Sequence, residues 1–324
     1  MLEQINPLWG IYLKHKEQGQ PLVLATLVKT VGSSYKKAGA MMLIEQDRTT
    51  HGLISGGCLE ADVAEHAMTV FETKQACQLT YDLSDESIFG LGAGCDGTIH
   101  LVLQLLKDDY LPFSALNPLP GKSISLQLYI ESENNSQYPV GSYYLLKNQQ
   151  MLESTAGFYQ AVSDSTSPLH YHPPPKIAIC GAGIDVIPVL HVLHLLQWHV
   201  TLIDHAAGRL TQTTQHLNTQ TIQVNPDDLN ATLSGHDFAA VIIMSHHLER
   251  DAEYLKYFAA TKTQWMGLLG PLKRRDKVLQ KAQLTLSQLQ QRLKSPVGLD
   301  IGGQMPENIA ISVAAQLQQH FYQT

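Results

Sequence analysis

Lys176-Ile-Ala-Ile-Cys180-Gly-Ala-Gly183 is a short apolar run closed by two glycines one residue apart, and the fold of the second half of the chain turns on it. The pattern predicts a strand that passes sharply into a helix. Gly181 allows the tight turn, and Gly183 lets the helix N-terminus approach a phosphate, whose charge its N–H groups favour. Val186 stands where the third glycine of that fingerprint would be. Asp204, 21 residues after Gly183, closes the next apolar run, HVTLID, where an acidic side chain can accept hydrogen bonds from a ribose. The plainer account is that Gly181 and Gly183 serve only the turn and Asp204 a loop cap. Further along, AAVIIM (Ala239 to Met244) and WMGLLG (Trp265 to Gly270) are again short and apolar, with ten or more residues of helical periodicity between runs. Such alternation predicts a parallel sheet with crossover helices, a Rossmann-like domain over residues 176–324.

Ser245-His246-His247 follows the run ending at Met244, so these residues belong at the C-terminal edge of the sheet, where open α/β folds bind ligands. Lys273, Arg274 and Arg275 follow Gly270-Pro271 at a helix start. His246 could hydrogen-bond an anionic ligand and Arg274 could grip a phosphate with two N–H groups, although a charge run of this kind is more often a solvated helix face. A terminal helix is expected from about Pro306, with Asp300 and Glu307 beside it in capping or ligand-facing roles.

Upstream, DSTSPLHYHPPP (Asp164 to Pro175) reads as an extended linker, because three successive prolines forbid both helix and ladder pairing. Residues 1–163 read as one mixed α/β domain. Strands are predicted over Pro21–Val28, Ala40–Glu45, Cys77–Leu83 and Thr98–Leu106, with a helix over Leu59–Glu72. Further strand runs at Ile124–Ile130 and Ser142–Leu146 are expected to extend the same sheet.

Two glycine-rich stretches in this domain carry cysteines. Ser55-Gly56-Gly57-Cys58 brings backbone N–H groups into the open just before a helix, a setting that lowers a thiol's pKa and suits sulfur transfer or contact with a soft metal. Gly94-Cys95 sits in a similar stretch, GLGAGCDG, ahead of a strand. The alternative for each thiol is a small buried hydrophobe, which is the better account of Cys77 and Cys180 inside strand runs. VGSSYKKAGA (Val31 to Ala40) is a third polar, glycine-bearing loop whose Lys36 and Lys37 could hold an anion. His191 and His194 share a helix face without a carboxylate to complete a metal motif, so no metal site is expected.

The 324 residues suit two domains, and 44% hydrophobic with 16% charged residues suits a globular protein. A formal charge of −7 gives no broad attraction for nucleic acid or an anionic membrane. Neither a membrane-length apolar run nor a signal-peptide core is present in the sequence, so a cytoplasmic location is expected. Four cysteines without CxxC pairing are expected to stay reduced.

Taken in order, VGSSYKKAGAMMLI, LISGGCLEADVAEHA, GLGAGCDG, CGAGIDVIPVL, VTLIDH, IIMSHHLERD, MGLLGPLKRR and SPVGLDIGGQMPENIAISV resemble the XdhC/CoxI family, accessory proteins of xanthine dehydrogenases and related molybdenum hydroxylases. The resemblance runs from about Val23 to Ala315. It implies an N-terminal family-specific domain and a C-terminal Rossmann domain. It also implies binding of the molybdenum cofactor (molybdopterin), support of its sulfuration and delivery to a xanthine dehydrogenase-like apo-enzyme. A cysteine desulfurase-type sulfur donor would be a further partner. Carried over from the matching motifs are Ser55, Gly56, Gly57, Cys58, Gly94 and Cys95, then Gly181, Gly183, Asp204 and His246, with Arg274 added from its own setting. The chain departs from the family where Ile184-Asp185 replaces a run beginning with His, and where an Arg-rich loop appears as Pro271-Leu-Lys-Arg-Arg. A nucleotide in the second domain and a homodimer are further expectations. The chain reads as a cofactor chaperone rather than a turnover enzyme. The alternatives are an NAD(P)-dependent oxidoreductase using Gly181, Gly183 and Asp204, and a structural adaptor between hydroxylase and sulfur donor.

Overall fold

The computed structural model describes residues 5–83, 97–116, 126–131, 138–147, 150–155, 168–171, 174–215, 217 and 219–322, and the chain divides into two compact units, Met1–Pro173 and Pro174–Thr324.

In the first unit, helix α1 (Asn6–Gln18) is followed by an antiparallel sheet of β1 (Leu22–Gly32), β2 (Met41–Ile44), β3 (Thr50–Gly52), β4 (Cys77–Asp82) and β5 (Gly97–Leu106). The strand order is β3-β2-β1-β5-β4, and α2 (Glu60–Thr73) lies between β3 and β4 in the chain. Helix α1 ends because Gly19 adopts a left-handed conformation, which lets its N–H and that of Gln20 return to the carbonyls of Lys16 and His15.

Side chains alternate across a strand, and both faces of β1 are covered. Leu22 and Leu24 join a core with residues of α1, whereas Val23, Ala25 and Leu27 join a second core with Val63, Ala67 and Val70 of α2. Burial on both faces is why the start of β1, Leu22 to Ala25, reads as an uninterrupted apolar run. Each such leucine stabilises the fold by about 1.5–3 kcal/mol.

The middle of the chain does not extend this sheet. It forms a separate antiparallel sheet of β6 (Leu126–Ile130), β7 (Tyr143–Lys147), β8 (Gln150–Ser154) and β9 (Leu169–Tyr171), ordered β8-β7-β6-β9. Leu128, Ile130, Leu145, Leu169 and Tyr171 pack into the same core as Leu22, Leu24, Val102 and Leu106. The two sheets therefore stack through apolar faces instead of joining edges, an outcome that period-2 patterning cannot distinguish from extension. β9 also lies within the stretch expected to be linker. Its residues precede the three prolines, so they keep the N–H groups that pair with β6.

The second unit is an α/β sandwich. Its sheet holds β10 (Lys176–Cys180), β11 (His199–Asp204), β12 (Gln220–Gln223), β13 (Ala240–Ile243), β14 (Trp265–Leu268) and β15 (Leu293–Lys294), all parallel, in the order β12-β11-β10-β13-β14-β15. This is the doubly wound Rossmann arrangement, with its switch point between β10 and β13. Ile177 and Ile179 face one core, shared with α3 (Val186–Leu195) and α8 (Pro306–Tyr322). Ala178 and Cys180 face the other, with α5 (Leu229–Leu233), α6 (Leu248–Ala259) and α7 (Leu272–Ala282); α4 (Ala207–Thr214) joins β11 to β12.

Candidate functional site

Two places gather the chemistry-bearing residues, one in each unit. In the first unit, three glycine-bearing segments converge on one sheet edge. The loop after β1 places Tyr35, 62% exposed, so that its ring would touch a Cβ built on Gly56 at 3.4 Å. Gly97, at the start of β5, pairs with Gly32 and lies so close to the carbonyl oxygens of Val31 and Ser33 that any side chain there would collide with backbone. The far end of the Tyr35 loop is held by the buried Tyr171 hydroxyl, which donates to the Gly39 carbonyl at 3.0 Å. Lys36 reaches over the Tyr35 ring, its Nζ 5.8 Å from the centroid.

Cys58 is exposed beside this edge, directly before Leu59, the N-cap of α2. The backbone N–H groups of the Ser55–Leu59 turn are largely spoken for, contrary to the open nest expected from sequence. Glu60 folds back, and its Oε1 accepts from the N–H groups of Ile54 (2.9 Å) and Ser55 (2.8 Å). Its Oε2 accepts from the Ser55 hydroxyl (2.6 Å) and the N–H groups of Gly57 (3.0 Å) and Leu59 (3.2 Å). Burial works to raise the Glu60 pKa, but the hydrogen bonds from Ser55 and Ile54 outweigh it and hold the carboxyl below its ordinary value. Among the described residues, the N–H groups of Gly56 and Cys58 have no such partner, so a ligand's anionic group would find those two donors and Lys36. Gly94 and Cys95 lie outside the described residues.

In the second unit the site residues stand at the C-terminal edge of the sheet, at the β10/β13 switch point. Gly181 has a left-handed φ of 118°, and a Cβ on it would lie 2.6 Å from both the Met244 carbonyl oxygen and the Ser245 Cα. Glycine is therefore required by the close passage of two strand ends. A Cβ on Gly183 would meet Asp185 Oδ1 at 2.5 Å. Asp185 Oδ2 in turn is hydrogen-bonded to His246 Nε2 at 2.8 Å, and His246 itself is held at a φ of 60°. The Asp185 carboxylate raises the His246 pKa above its ordinary value, against the opposing effect of burial.

Asp204 is 2% exposed. Its Oδ2 accepts from the Ala182 N–H (2.9 Å), and its Oδ1 accepts from the Ala206 N–H (2.9 Å) and lies 2.8 Å from His205 Nδ1. It ties the glycine turn to the end of β11. Arg274, expected to grip a phosphate, gives Nη2 to Asp251 Oδ2 at 2.5 Å, while Asp251 Oδ1 accepts from the Ser245 hydroxyl at 2.5 Å. Asp251 is 1% exposed, and Arg274 also packs over Gly270. Asp300 and Glu307 are both exposed. Cys180 is buried, and that burial, with Asp251 and Asp204 near, pushes its thiol well above the ordinary range.

The sequence patterns gave no sign of Glu60, Asp185 and Asp251 as organisers of these turns, or of Tyr35 as a wall of the first. Asp185 was visible only as a departure at the residue before the helix. Among the described residues, no group of three or more His, Cys, Asp or Glu side chains is placed to hold a metal ion.

A family profile described as the XdhC Rossmann domain matches residues 177–317, and one described as the XdhC and CoxI family matches residues 15–82. The chain belongs to the XdhC/CoxI family. Among curated relatives, a protein of Bacillus subtilis named as a probable xanthine dehydrogenase component is 26% identical over 317 residues, covering 94% of each chain. The molybdenum cofactor insertion chaperone PaoD of Escherichia coli is 22% identical over 301 residues, covering 92% of this chain and 83% of PaoD. A crystal structure of a xanthine dehydrogenase from Bacillus halodurans superposes with a TM-score of 0.80 at 28% identity, covering 96% of this chain and 94% of that one. The XdhC/CoxI profile over residues 15–82 contains both the Tyr35 loop and Cys58, and Gly97 lies beyond it.

Proposed function

We propose that this chain is an accessory protein of a xanthine dehydrogenase-like molybdenum hydroxylase, which takes up the molybdenum cofactor as cargo at the loop edge of its first unit, supports its sulfuration and delivers it to the apo-enzyme. The observation that carries the reading is the meeting of the Tyr35 loop, the Ser55–Cys58 turn and the Gly97 crossing on one edge, with an exposed thiol and a lysine beside it. A phosphorylated pterin dithiolene needs a flat apolar contact, a positive charge and N–H donors for its phosphate, and a soft or exchangeable partner for its sulfur. Tyr35, Lys36, the Gly56 and Cys58 N–H groups and the Cys58 thiol supply those in that order. The names of the Bacillus subtilis and Escherichia coli relatives point the same way. Action of Cys95 with Cys58, a cysteine desulfurase-type donor and a homodimer belong to this proposal as its finer parts.

The test is to purify the full chain from cells in which cofactor synthesis is intact and to measure co-purifying molybdenum and pterin, with activation of a co-expressed apo-hydroxylase read in parallel. Cargo on the parent chain, reduced in Tyr35→Ala and Lys36→Ala variants of unchanged melting temperature, supports the assignment. A parent chain that carries no pterin and does not activate the hydroxylase refutes it.

A further inference from the structure

The Rossmann strand order implies a dinucleotide at the β10/β13 switch point, and the residues there do not fit one. In a dinucleotide-binding turn the glycines clear space for the pyrophosphate, the turn's N–H groups donate to it, and the acid ending the second strand accepts from the ribose. Here the space, part of the donor set and the acid are used inside the protein.

The space above Gly183 holds the Asp185 carboxylate, whose Oδ1 stands 2.5 Å from the place of a Gly183 Cβ and whose Oδ2 is fixed by His246 at 2.8 Å. Several donors of the turn are spent as well, which leaves the N–H groups of Gly183, Ile184 and Asp185 as those without a partner among the described residues. Gly181 N–H donates to the Ile203 carbonyl (2.8 Å), Ala182 N–H to Asp204 Oδ2 (2.9 Å), Val186 N–H to the Gly183 carbonyl (3.1 Å) and Ile187 N–H to the Ile184 carbonyl (3.3 Å). The ribose acceptor is withdrawn, since Asp204 is 2% exposed and its oxygens are turned to the N–H groups of Ala182 and Ala206. The nearby guanidinium of Arg274 is paired with Asp251. A dinucleotide needs open donors and positive charge at this place, and the Asp185 carboxylate stands there instead, paired with His246.

We propose that Asp185, held by His246, fills the pyrophosphate position and that the second unit excludes NAD-type dinucleotides. The fold supplies a Rossmann scaffold whose cofactor place is occupied by its own side chain, so nicotinamide-dependent hydride transfer is not an activity of this chain. This goes beyond the cargo proposal for the first unit and does not rest on it.

Titration calorimetry of the full chain with NADH and with ADP, each taken to about 1 mM, the upper end of ordinary cofactor affinities, tests it. The parent chain should show no saturable binding of either. Asp185→Ala removes both the charge and the bulk and should tighten ADP and NADH by about tenfold or more, as expected for freeing a partly buried helix N-terminus. Asp185→Asn removes the charge alone and should give a smaller gain. Melting temperatures establish that the variants are folded, and the Asn variant decides if the Ala variant is not. Saturable micromolar binding of NADH by the parent chain overturns the proposal. So does the absence of any gain in folded variants, because Asp185 would then not be what excludes the ligand.

Discussion

Replacing Glu60 by Gln probes the organisation of the Ser55–Cys58 turn with almost no change in volume. The parent carboxylate accepts five hydrogen bonds, from the N–H groups of Ile54, Ser55, Gly57 and Leu59 and from the Ser55 hydroxyl. Glutamine keeps one acceptor oxygen and turns an NH2 toward donors that have nowhere else to go. Hydrogen bonds to a charged partner are worth about 1.5–3 kcal/mol each but are not additive, so a net local loss of about 2–4 kcal/mol is expected. Hydrogen exchange reads this directly at the four amides. Where local opening governs exchange, their protection should fall by about 30- to 900-fold. The sign of the pH dependence follows from the depressed Glu60 pKa. The carboxylate's contribution is full above the unfolded glutamate pKa and is lost as pH falls through the lower folded value, so parent and variant should converge in acid. Unchanged protection at Ser55 and Gly57 in the variant would mean that the carboxylate does not hold the turn.

Gly181→Ala should lower the stability of the second unit by about 1–3 kcal/mol or more, since the position combines a left-handed φ with backbone contacts at 2.6 Å; a denaturant melt followed at Trp198 and Trp265 checks it. His246 should titrate above an ordinary histidine in NMR spectra and move down in Asp185→Asn. Because its folded pKa is raised, the pair's contribution is full below the unfolded histidine pKa and disappears as pH rises through the folded value, so the two proteins should differ in melting temperature only toward acid. Cys58→Ala should leave the stability within the roughly ±0.5 kcal/mol typical of a surface change while reducing activation of a co-expressed apo-hydroxylase; a lowered melting temperature with retained activation would make the thiol structural.

The alternation of apolar runs and helical spacers made the second unit legible, because a parallel sheet covered on both faces writes each strand as a block, as in Ile177 to Cys180. The first unit was legible strand by strand but not in its layering. Nothing local in Leu128 or Leu145 says whether they pair beside β4 or stack over β1, since that depends on which apolar face lacks a cover. The glycine motifs were legible as turns, but how far each is filled from within was not. Whether a turn's N–H groups face a ligand is decided by acids such as Glu60 and Asp185, and a carboxylate a few residues from a glycine looks the same in sequence whether it folds back or points outward. Asp251 was hidden for a related reason: one acid among the charges of α6 is buried, and only the strand end it serves reveals it.

The hydroxyl of Tyr171 on the Gly39 carbonyl has a bearing on where this protein can be cut. Tyr171 is the last residue of β9, an edge strand paired to β6, and its ring sits fully inside the first unit's core. A truncation at residue 163, where composition suggests the unit ends, would strip that edge, leave the N–H and carbonyl groups of β6 unpaired and available to another chain, and release the hairpin tip that carries Lys36 and Lys37. A laboratory separation of the two halves therefore has its seam after Tyr171, at the boundary between the compact units Met1–Pro173 and Pro174–Thr324.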